Sequence, residues 1–260
     1  MIEILDQLGN QISLKSPAKR IISLVPSQTE LLHYFGLEEE TIGITKFCIH
    51  PNEWFVSKNR VGGTKNLQIE AIRDLQPDLI IANKEENTQA EIEELQKEFN
   101  VYISDIITMT DAYQMIEHVG CLCGKEQQAV DLIDEIQESF EDFKQVSGKV
   151  AYFIWRDPFM VCGQSNFINE VISFAGFENV IDLPRYVELS SAELSKLDLD
   201  YIFLSSEPYP FKEEHINEFK ELSKAKIVLV DGEMFSWYGS RMLKLRKYLD
   251  QLKSIIDCSV

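Results

Sequence analysis

Residues 125–146 read KEQQAVDLIDEIQESFEDFKQV, and their apolar side chains recur every three or four positions. Such spacing lines one face of an α-helix. The apolar positions are Ala129, Leu132, Ile133, Ile136, Phe140, Phe143 and Val146. At about 1.5 Å per residue this helix would be roughly 33 Å long, enough to run along a whole domain. Gly124 and Gly148 bound the pattern, so we predict a single long helix between them.

The segments on both sides of this helix alternate between strand and helix patterns. Buried strands are predicted at 20–25 and 79–82 before the helix, and at 150–155 and 201–204 after it. Strands separated by helices and joined by short links are typical of parallel βαβ units. We therefore predict an α/β fold of two Rossmann-like lobes joined by one long helix. The assigned ranges are 1–123 for the N-terminal lobe, 124–147 for the connecting helix and 148–260 for the C-terminal lobe.

Two local patterns near the N-terminus predict how the first lobe begins. Residues 2–14 alternate around Gly9-Asn10, which is turn chemistry, and indicate a small β-hairpin. Further on, Ser27 followed by Glu30 has the spacing of a capping box, and we predict that it opens a helix.

Charge and cysteine content restrict the function classes. The chain has 260 residues, with 43 acidic against 25 basic ones and a net charge of -18. This charge repels phosphate backbones, so nucleic acid is an unfavourable partner. Its five cysteines contain no CxxC pair, which argues against a disulfide framework and a zinc ribbon and favours reduced thiols.

The first 20 residues contain no basic stretch followed by an apolar run. No signal peptide is therefore predicted, and the sequence as written indicates a cytoplasmic protein. If a leader had been removed, the protein would instead be periplasmic. No window approaches 18 uninterrupted apolar residues, so the chain is not expected to be embedded in a membrane.

Several segments, taken in order, resemble the helical-backbone periplasmic-binding-protein superfamily of ABC-transporter substrate-binding proteins. They are RIISLVPSQTE at 20–30, VGG at 61–63, LQPDLIIA at 75–82 and GFENV at 176–180. Within that superfamily the chain is most similar to the cobalamin-binding-like branch and to the subgroup called helical backbone metal receptor. The resemblance covers nearly the whole chain and implies a periplasmic-binding-protein-like, chelatase-like fold.

The resemblance also implies a ligand and a partner. Members of the superfamily bind cobalamin, haem, iron chelates or metal ions between their two lobes and deliver them to a permease. Glu70 and Glu193 match the acids that dock onto the permease. Thr64 and Asn83 stand where cobalamin binders carry aromatic residues, with Lys65 beside Thr64, and Tyr186 stands where those proteins often have an aromatic residue.

Cys48 and His50 lie two residues apart in a predicted loop. Thiolate and imidazole both bind metals such as zinc or cobalt, and Glu85 or Glu86 on the neighbouring loop could complete a metal site. The alternative is a loop histidine beside a small buried cysteine, with a solvated pair of glutamates.

Trp155 and Arg156 close the first strand of the second lobe. Tryptophan offers a stacking face and arginine binds carboxylates, which together suit a planar ligand with acidic side chains. The alternative is an internal ion pair between Arg156 and Asp157.

Two later loops also carry large polar-ended residues after predicted strands. Glu207 lies in EPYPF at 207–211, and FSWYGSR at 235–241 contains the other three candidates. We predict ligand contact for Glu207, Tyr238 and Arg241, and either ligand contact or packing between the lobes for Trp237.

These residues indicate a binding protein that is not an enzyme, because no GxSxG or GxGxxG motif occurs. The expected ligand is a cobalamin-like molecule, haem or an iron chelate, or a divalent metal. An alternative is a cytosolic carrier, sensor or partner-binding module that no longer serves transport.

Overall fold

The computed structural model describes residues 1–257, whose contacts divide them into two compact units. Unit 1 contains residues 1–106, 110–139 and 238–243. Unit 2 contains residues 107–109, 140–237 and the described chain from residue 244 onwards. Each unit combines helices with a mainly parallel sheet, so the predicted class, α/β with two lobes, is confirmed.

Unit 1 contains two small antiparallel pairs and one five-stranded sheet. Its strands are β1 (Ile2–Leu5), β2 (Gln11–Leu14), β3 (Ile21–Ser23), β4 (Thr41–Ile44), β5 (Asn59–Arg60), β6 (Gly62–Gly63), β7 (Asn66–Leu67), β8 (Leu79–Asn83) and β9 (Val101–Ser104). Its helices are α1 (Pro26–Tyr34), α2 (Asn52–Ser57), α3 (Ile69–Leu75), α4 (Gln89–Leu95), α5 (Met109–Cys123), whose first residue belongs to unit 2, and α6 (Glu126–Ser139).

The five-stranded sheet of unit 1 has the order β5-β4-β3-β8-β9, and all its pairings are parallel. Strand β8 is buried along its whole length, as expected for a central strand covered on both faces. Its Ile80 and Ala82 pack in a cluster with Ile92 of α4 and Val101 of β9. Because the strands are parallel, their carboxyl ends meet at one edge of the sheet.

The N-terminal hairpin is confirmed, because β1 pairs with β2 in antiparallel register from Ile2↔Leu14 to Leu5↔Gln11. The predicted capping box is wrong. Helix α1 begins at Pro26, and Ser27 is buried inside its first turn without a side-chain cap. Glu30, its supposed partner, pairs with Arg241 instead.

The long helix is shorter than its apolar pattern predicts, since α6 ends at Ser139. Phe140 and Phe143 belong to unit 2, where their rings lie 4.8 Å and 6.1 Å from the ring of Phe174. The Val146 backbone N–H donates to the Ala175 carbonyl at 2.9 Å. These apolar residues therefore pack within unit 2 and do not extend the apolar face of α6.

Unit 2 is built on a six-stranded sheet. Its strands are β10 (Gly148–Trp155), β11 (Met160–Cys162), β12 (Phe177–Asn179), β13 (Tyr186–Glu188), β14 (Tyr201–Ser205) and β15 (Lys226–Val230). Its helices are α7 (Phe167–Ala175), α8 (Ser191–Leu194), α9 (Glu213–Leu222) and α10 (Gly232–Ser236), followed by α11 (Met242–Asp257), whose first two residues belong to unit 1.

The main path of this sheet is β13-β11-β10-β14-β15, with β12 paired to β10. Strands β10, β14 and β15 are parallel, so the segments after Trp155, Ser205 and Val230 leave the same edge. Strand β11 turns back antiparallel to β10, and β13 pairs with it at the sheet border. In the described part of the chain, no helix is long and apolar enough to cross a membrane.

Candidate functional site

The loop after β8 in unit 1 is held by two buried asparagines. The side-chain amide of Asn83 donates to the Ser104 carbonyl and hydroxyl at 3.1 and 3.0 Å. Its side-chain oxygen accepts from the backbone N–H groups of Glu85 and Glu86 at 2.8 and 3.0 Å. Asn87 in turn accepts from the Asn83 backbone N–H at 2.8 Å. Asn83 therefore shapes the loop from inside.

Thr64 and Lys65 connect the β6–β7 hairpin to this loop. Thr64 is buried, and its carbonyl accepts from the Asn87 side chain at 3.1 Å. The Lys65 ammonium donates to the Glu85 carbonyl. The Glu86 side chain is exposed, yet many protein atoms surround its carboxyl and partly desolvate it, which raises its pKa. The positive charge of nearby Lys65 opposes part of this rise.

Cys48 lies in the core, beneath the loop that follows β4. Its sulfur lies 3.1 Å from the Thr29 hydroxyl and 3.2 Å from the Thr45 hydroxyl. Burial raises the pKa of the Cys48 thiol, so the neutral form is favoured. The thiol is therefore buried and hydrogen-bonded between the two threonine hydroxyls.

Among the described residues, the fold brings no third His, Cys, Asp or Glu ligand to the predicted metal site. Within residues 1–257, no group of three or more His, Cys, Asp or Glu side chains is arranged to hold a metal ion. His50 is half-buried in the same loop as Cys48. A metal bound by Cys48 and His50 therefore stays a prediction.

Phe47 is an exposed aromatic residue that the sequence analysis did not select. It is 50% exposed in the loop after β4, next to the buried Cys48. The Lys46 ammonium lies 5.1 Å from the centre of its ring. A Cβ atom at Gly63 would lie 3.1 Å from the Phe47 ring, so glycine provides the space for it. The only sequence signal was an aromatic residue just after a strand.

Tyr238 and Arg241 belong to unit 1 and are both buried. Burial, and secondly the charge of Glu86, raises the pKa of Tyr238, while hydrogen bonding to Ser104 opposes this rise. The Arg241 guanidinium binds Glu30 in a bidentate ion pair, with N–O distances of 2.8 and 3.1 Å. Arg241 was predicted to contact the ligand, and the fold gives it an internal carboxylate partner.

Trp155 is the last residue of β10 in unit 2 and Arg156 follows it, and both residues are exposed. The Trp155 indole N–H donates to the Asp157 carbonyl at 3.2 Å. The Arg156 Nε atom lies 2.9 Å from a carboxylate oxygen of Glu218 on α9. The alternative of an Arg156–Asp157 ion pair is therefore wrong, because helix α9 brings a different acid to the guanidinium.

Glu207 and Trp237 form an internal pair in unit 2. One Glu207 carboxylate oxygen accepts from the Ser236 hydroxyl at 2.7 Å and from the Trp237 indole N–H at 3.1 Å. Trp237 is only 8% exposed. These residues fix the segment after α10 to the loop after β14.

Tyr186 lies in a strand and not in a loop at a strand end. It is exposed at the start of border strand β13, where it pairs with Cys162 of β11. Cys162 pairs in turn with Tyr152, three residues before the end of β10. Ligand contact by Tyr186, which the family resemblance implied, therefore stays a prediction for an exposed residue of a border strand.

Glu70 and Glu193 are both exposed in the first turns of helices. Glu70 on α3 lies 2.5 Å from Arg73 of the same helix. Glu193 on α8 completes a capping box with Ser190, whose hydrogen bonds lower the pKa of the Glu193 carboxyl. Each carboxylate is accessible to a partner protein.

Comparison with known proteins identifies relatives with this fold. The periplasmic binding protein family model matches residues 21–226. The uncharacterized ABC transporter substrate-binding lipoprotein YvrC of Bacillus subtilis is 24% identical over 258 residues, which cover 92% of this chain and 82% of YvrC. The vitamin B12-binding protein of Vibrio parahaemolyticus is 30% identical over 171 residues, covering 63% of this chain and 62% of that protein.

Solved structures support the same fold. The periplasmic vitamin B12 binding protein BtuF of Vibrio cholerae superposes with a TM-score of 0.76 at 22% identity, covering 93% of this chain and 98% of BtuF. The periplasmic heme-binding protein BhuT, in complex with two hemes, superposes with a TM-score of 0.79 at 17% identity, covering 93% and 99%. With the family match extending over most of the sequence, the chain belongs to the periplasmic binding protein family.

Proposed function

We propose that this protein is the substrate-binding component of an ABC transporter and that its ligand is a corrinoid such as cobalamin. The observation that carries the proposal is the pair of aromatic and cationic surfaces at the carboxyl ends of the two sheets. Unit 1 presents Phe47 with Lys46, and unit 2 presents Trp155 with Arg156. Aromatic faces stack on planar macrocycles, and cationic groups hydrogen-bond amide or phosphate oxygens at their periphery.

Relatives named as vitamin B12-binding proteins support a corrinoid in particular. Haem or an iron chelate is the next candidate, because proteins of similar fold are named for haem binding. A bare divalent metal is less favourable, since the thiol of Cys48 is buried and hydrogen-bonded. The role is binding without turnover, in keeping with relatives named as substrate-binding proteins.

The proposed working location is outside the cytoplasmic membrane. The relatives are named as a lipoprotein and as periplasmic binding proteins, which favours the periplasmic alternative of the sequence analysis. There the exposed carboxylates of Glu70 and Glu193 would contact basic residues of the permease.

An absorbance titration tests the ligand. Purified protein is titrated with cyanocobalamin, haemin and Co²⁺ or Zn²⁺ salts, and then Phe47→Ala, Trp155→Ala and His50→Ala are compared with the wild type. Val56→Ala is the matched control, because Val56 is 76% exposed on α2 and lies outside the proposed surface. We expect cyanocobalamin to bind saturably and the Phe47 and Trp155 variants to lose about tenfold in affinity, equivalent to about 1.4 kcal/mol.

Three results would count against the proposal. Absence of a saturable change with every probe would remove the receptor function. Saturation by a metal salt that His50→Ala abolishes would restore the metal site. Equal losses in Val56→Ala and Phe47→Ala would remove the role of the aromatic surface.

The permease contact is tested separately. The loaded protein is added to its transporter in lipid vesicles, and stimulation of ATP hydrolysis is measured for Glu70→Lys and Glu193→Lys. Asp134→Lys, on an exposed position of α6, controls for the general change in charge. We expect stimulation to fall only for the two glutamate variants, while ligand affinity is unchanged.

A further inference from the structure

His215 lies in the first turn of α9 and has both ring nitrogens engaged. It is 8% exposed. Its Nδ1 atom accepts the backbone N–H of Lys212 at 2.9 Å, which requires Nδ1 to be unprotonated. The proton of the neutral ring is then on Nε2, which lies 3.2 Å from the Tyr209 hydroxyl and donates to it. The surroundings thus select one neutral tautomer.

Tyr209 connects this histidine to the exposed end of β10. The Tyr209 ring lies 5.7 Å from the Trp155 ring in an edge-to-face arrangement. Hydrogen bonds to Glu218 first, and to Tyr209 second, raise the pKa of Arg156. The Tyr209 backbone N–H donates to the Ile154 carbonyl of β10 at 3.2 Å. Tyr209 therefore packs on Trp155 and lies close enough to Arg156 to influence it electrostatically.

Phe211 packs against both Tyr209 and His215, and the three residues form one aromatic cluster. Its ring lies 4.8 Å from Tyr209 and 5.7 Å from His215. The packed rings leave the imidazole little freedom to turn away, so a change in its hydrogen bonding is passed to Tyr209.

We propose that His215 is a positioning residue that orients Trp155 and Arg156 through Tyr209, and that its protonation weakens ligand binding. This inference rests on the proposed function. A proton on Nδ1 turns an acceptor into a donor that faces the Lys212 N–H, so that hydrogen bond is lost. The added positive charge also lies at the N-terminal end of α9, where cations are unfavourable.

The charged groups around His215 do not offset the unfavourable effects of a proton on Nδ1. Glu214 on the same helix lies 3.8 Å from Nε2, but its side chain is 73% exposed and weakly coupled through solvent. Glu218, one turn further on, is paired with Arg156 of the β10 end. The 206–211 loop contributes the Tyr209 hydroxyl, and Lys212 adds a positive charge. Acidic pH is therefore expected to loosen the cluster.

The test measures the dissociation constant for cyanocobalamin between pH 8 and pH 5.5. His215→Gln is the matched variant, because glutamine at this helix position accepts the same backbone N–H and cannot be protonated. We expect wild-type affinity to fall about tenfold at the acidic end and His215→Gln to stay within about twofold. Tyr209→Phe, which removes the connecting hydroxyl, should also flatten the pH profile. Equal pH profiles for wild type and His215→Gln would overturn the inference.

A second measurement does not depend on any ligand. The indole N–H signal of Trp155, assigned with Trp155→Phe, is followed by NMR over the same pH range. We expect it to shift with pH in the wild type and to stay constant in His215→Gln. A Trp155 signal that titrates equally in both proteins would overturn the coupling even if no probe bound. Failure of every probe at neutral pH would count against the proposed function alone.

Discussion

The buried ion pair between Arg241 and Glu30 makes the sharpest stability prediction for unit 1. The side chains are 7% and 14% exposed and meet through two N–O contacts of 2.8 and 3.1 Å. Arg241→Met keeps a similar side-chain volume but leaves the Glu30 carboxylate buried without its bidentate partner. Removing one member of a buried pair costs about 3–5 kcal/mol. That is a large share of the roughly 5–15 kcal/mol that stabilises a typical native protein.

Urea unfolding followed by tryptophan fluorescence and circular dichroism measures this cost. Trp54 is fully buried in unit 1 and reports its unfolding. Lys19→Met is the matched control, because Lys19 pairs with Glu40 in the same unit but is 68% exposed. A surface pair of this kind contributes at most about 1 kcal/mol.

The double variant Glu30→Leu with Arg241→Met checks the cause of the loss. Replacing both partners removes the unpaired buried charge, so we expect it to recover at least half of the lost stability. If Arg241→Met destabilised unit 1 no more than Lys19→Met, the pair would not be desolvated and the reasoning would be refuted. If the double variant were as unstable as Arg241→Met, lost packing rather than charge would be the cause.

Three further predictions concern other buried groups. Cys48 is fully buried, which also raises the pKa of its thiol, so it should react with iodoacetamide at pH 8 only after unfolding. The sulfur of half-buried Cys121 is accessible and should react in the native protein, and equal rates would contradict this prediction. The same shift means that the folded state holds a proton that the unfolded chain releases above about pH 8.5, so the Cys48 contribution to stability is complete below that pH and is lost as pH rises. A Cβ atom at Gly232 would lie 2.4 Å from the Glu207 side chain. Gly232→Ala should therefore lower the free energy of unfolding by about 1–3 kcal/mol and the melting temperature by several degrees. An unchanged melting temperature would show that the loop adapts freely. Asn83→Ala removes the side-chain hydrogen bonds that hold the 84–87 loop. We expect the free energy of unfolding to fall by about 2–3 kcal/mol and the backbone amides of this loop to exchange faster with solvent. Amide protection equal to that of the wild type would exclude the anchoring role.

Local patterns determined much of the architecture. Strands β8 (Leu79–Asn83) and β14 (Tyr201–Ser205) begin at the predicted residues and end one residue later, because a short apolar run followed by polar residues marks a buried strand locally. Helix α7 begins one residue after Asn166, whose side chain accepts from the Asn169 backbone N–H at 2.9 Å and caps the helix as its residue type favours. The hairpin of residues 2–14 likewise follows from alternation and turn chemistry over neighbouring residues.

Side-chain partners far apart in sequence could not be inferred in this way. Arg241 and Glu30 are separated by 211 positions. The identity of an arginine or a glutamate does not indicate which oppositely charged residue will be its ion-pair partner. The pairing of Arg156 with Glu218 depends on how α9 packs beside the end of β10, whereas the sequence suggested the adjacent Asp157.

The sequence by itself determined the main parallel strands, the α/β class and the family resemblance, because these depend on local periodicity and on short motifs. Only the tertiary structure decided which side chains are exposed at the strand ends. The apolar spacing of residues 125–146 suits one long helix, yet α6 ends at Ser139 because Phe140 and Phe143 pack on Phe174. Likewise Cys48 is buried and Phe47, its neighbour, is exposed, because the Thr29 and Thr45 hydroxyls hold the sulfur inside and Gly63 leaves room for the ring. Local sequence patterns do not distinguish such neighbouring side chains. Which of them is buried depends on packing against segments that are distant in the sequence.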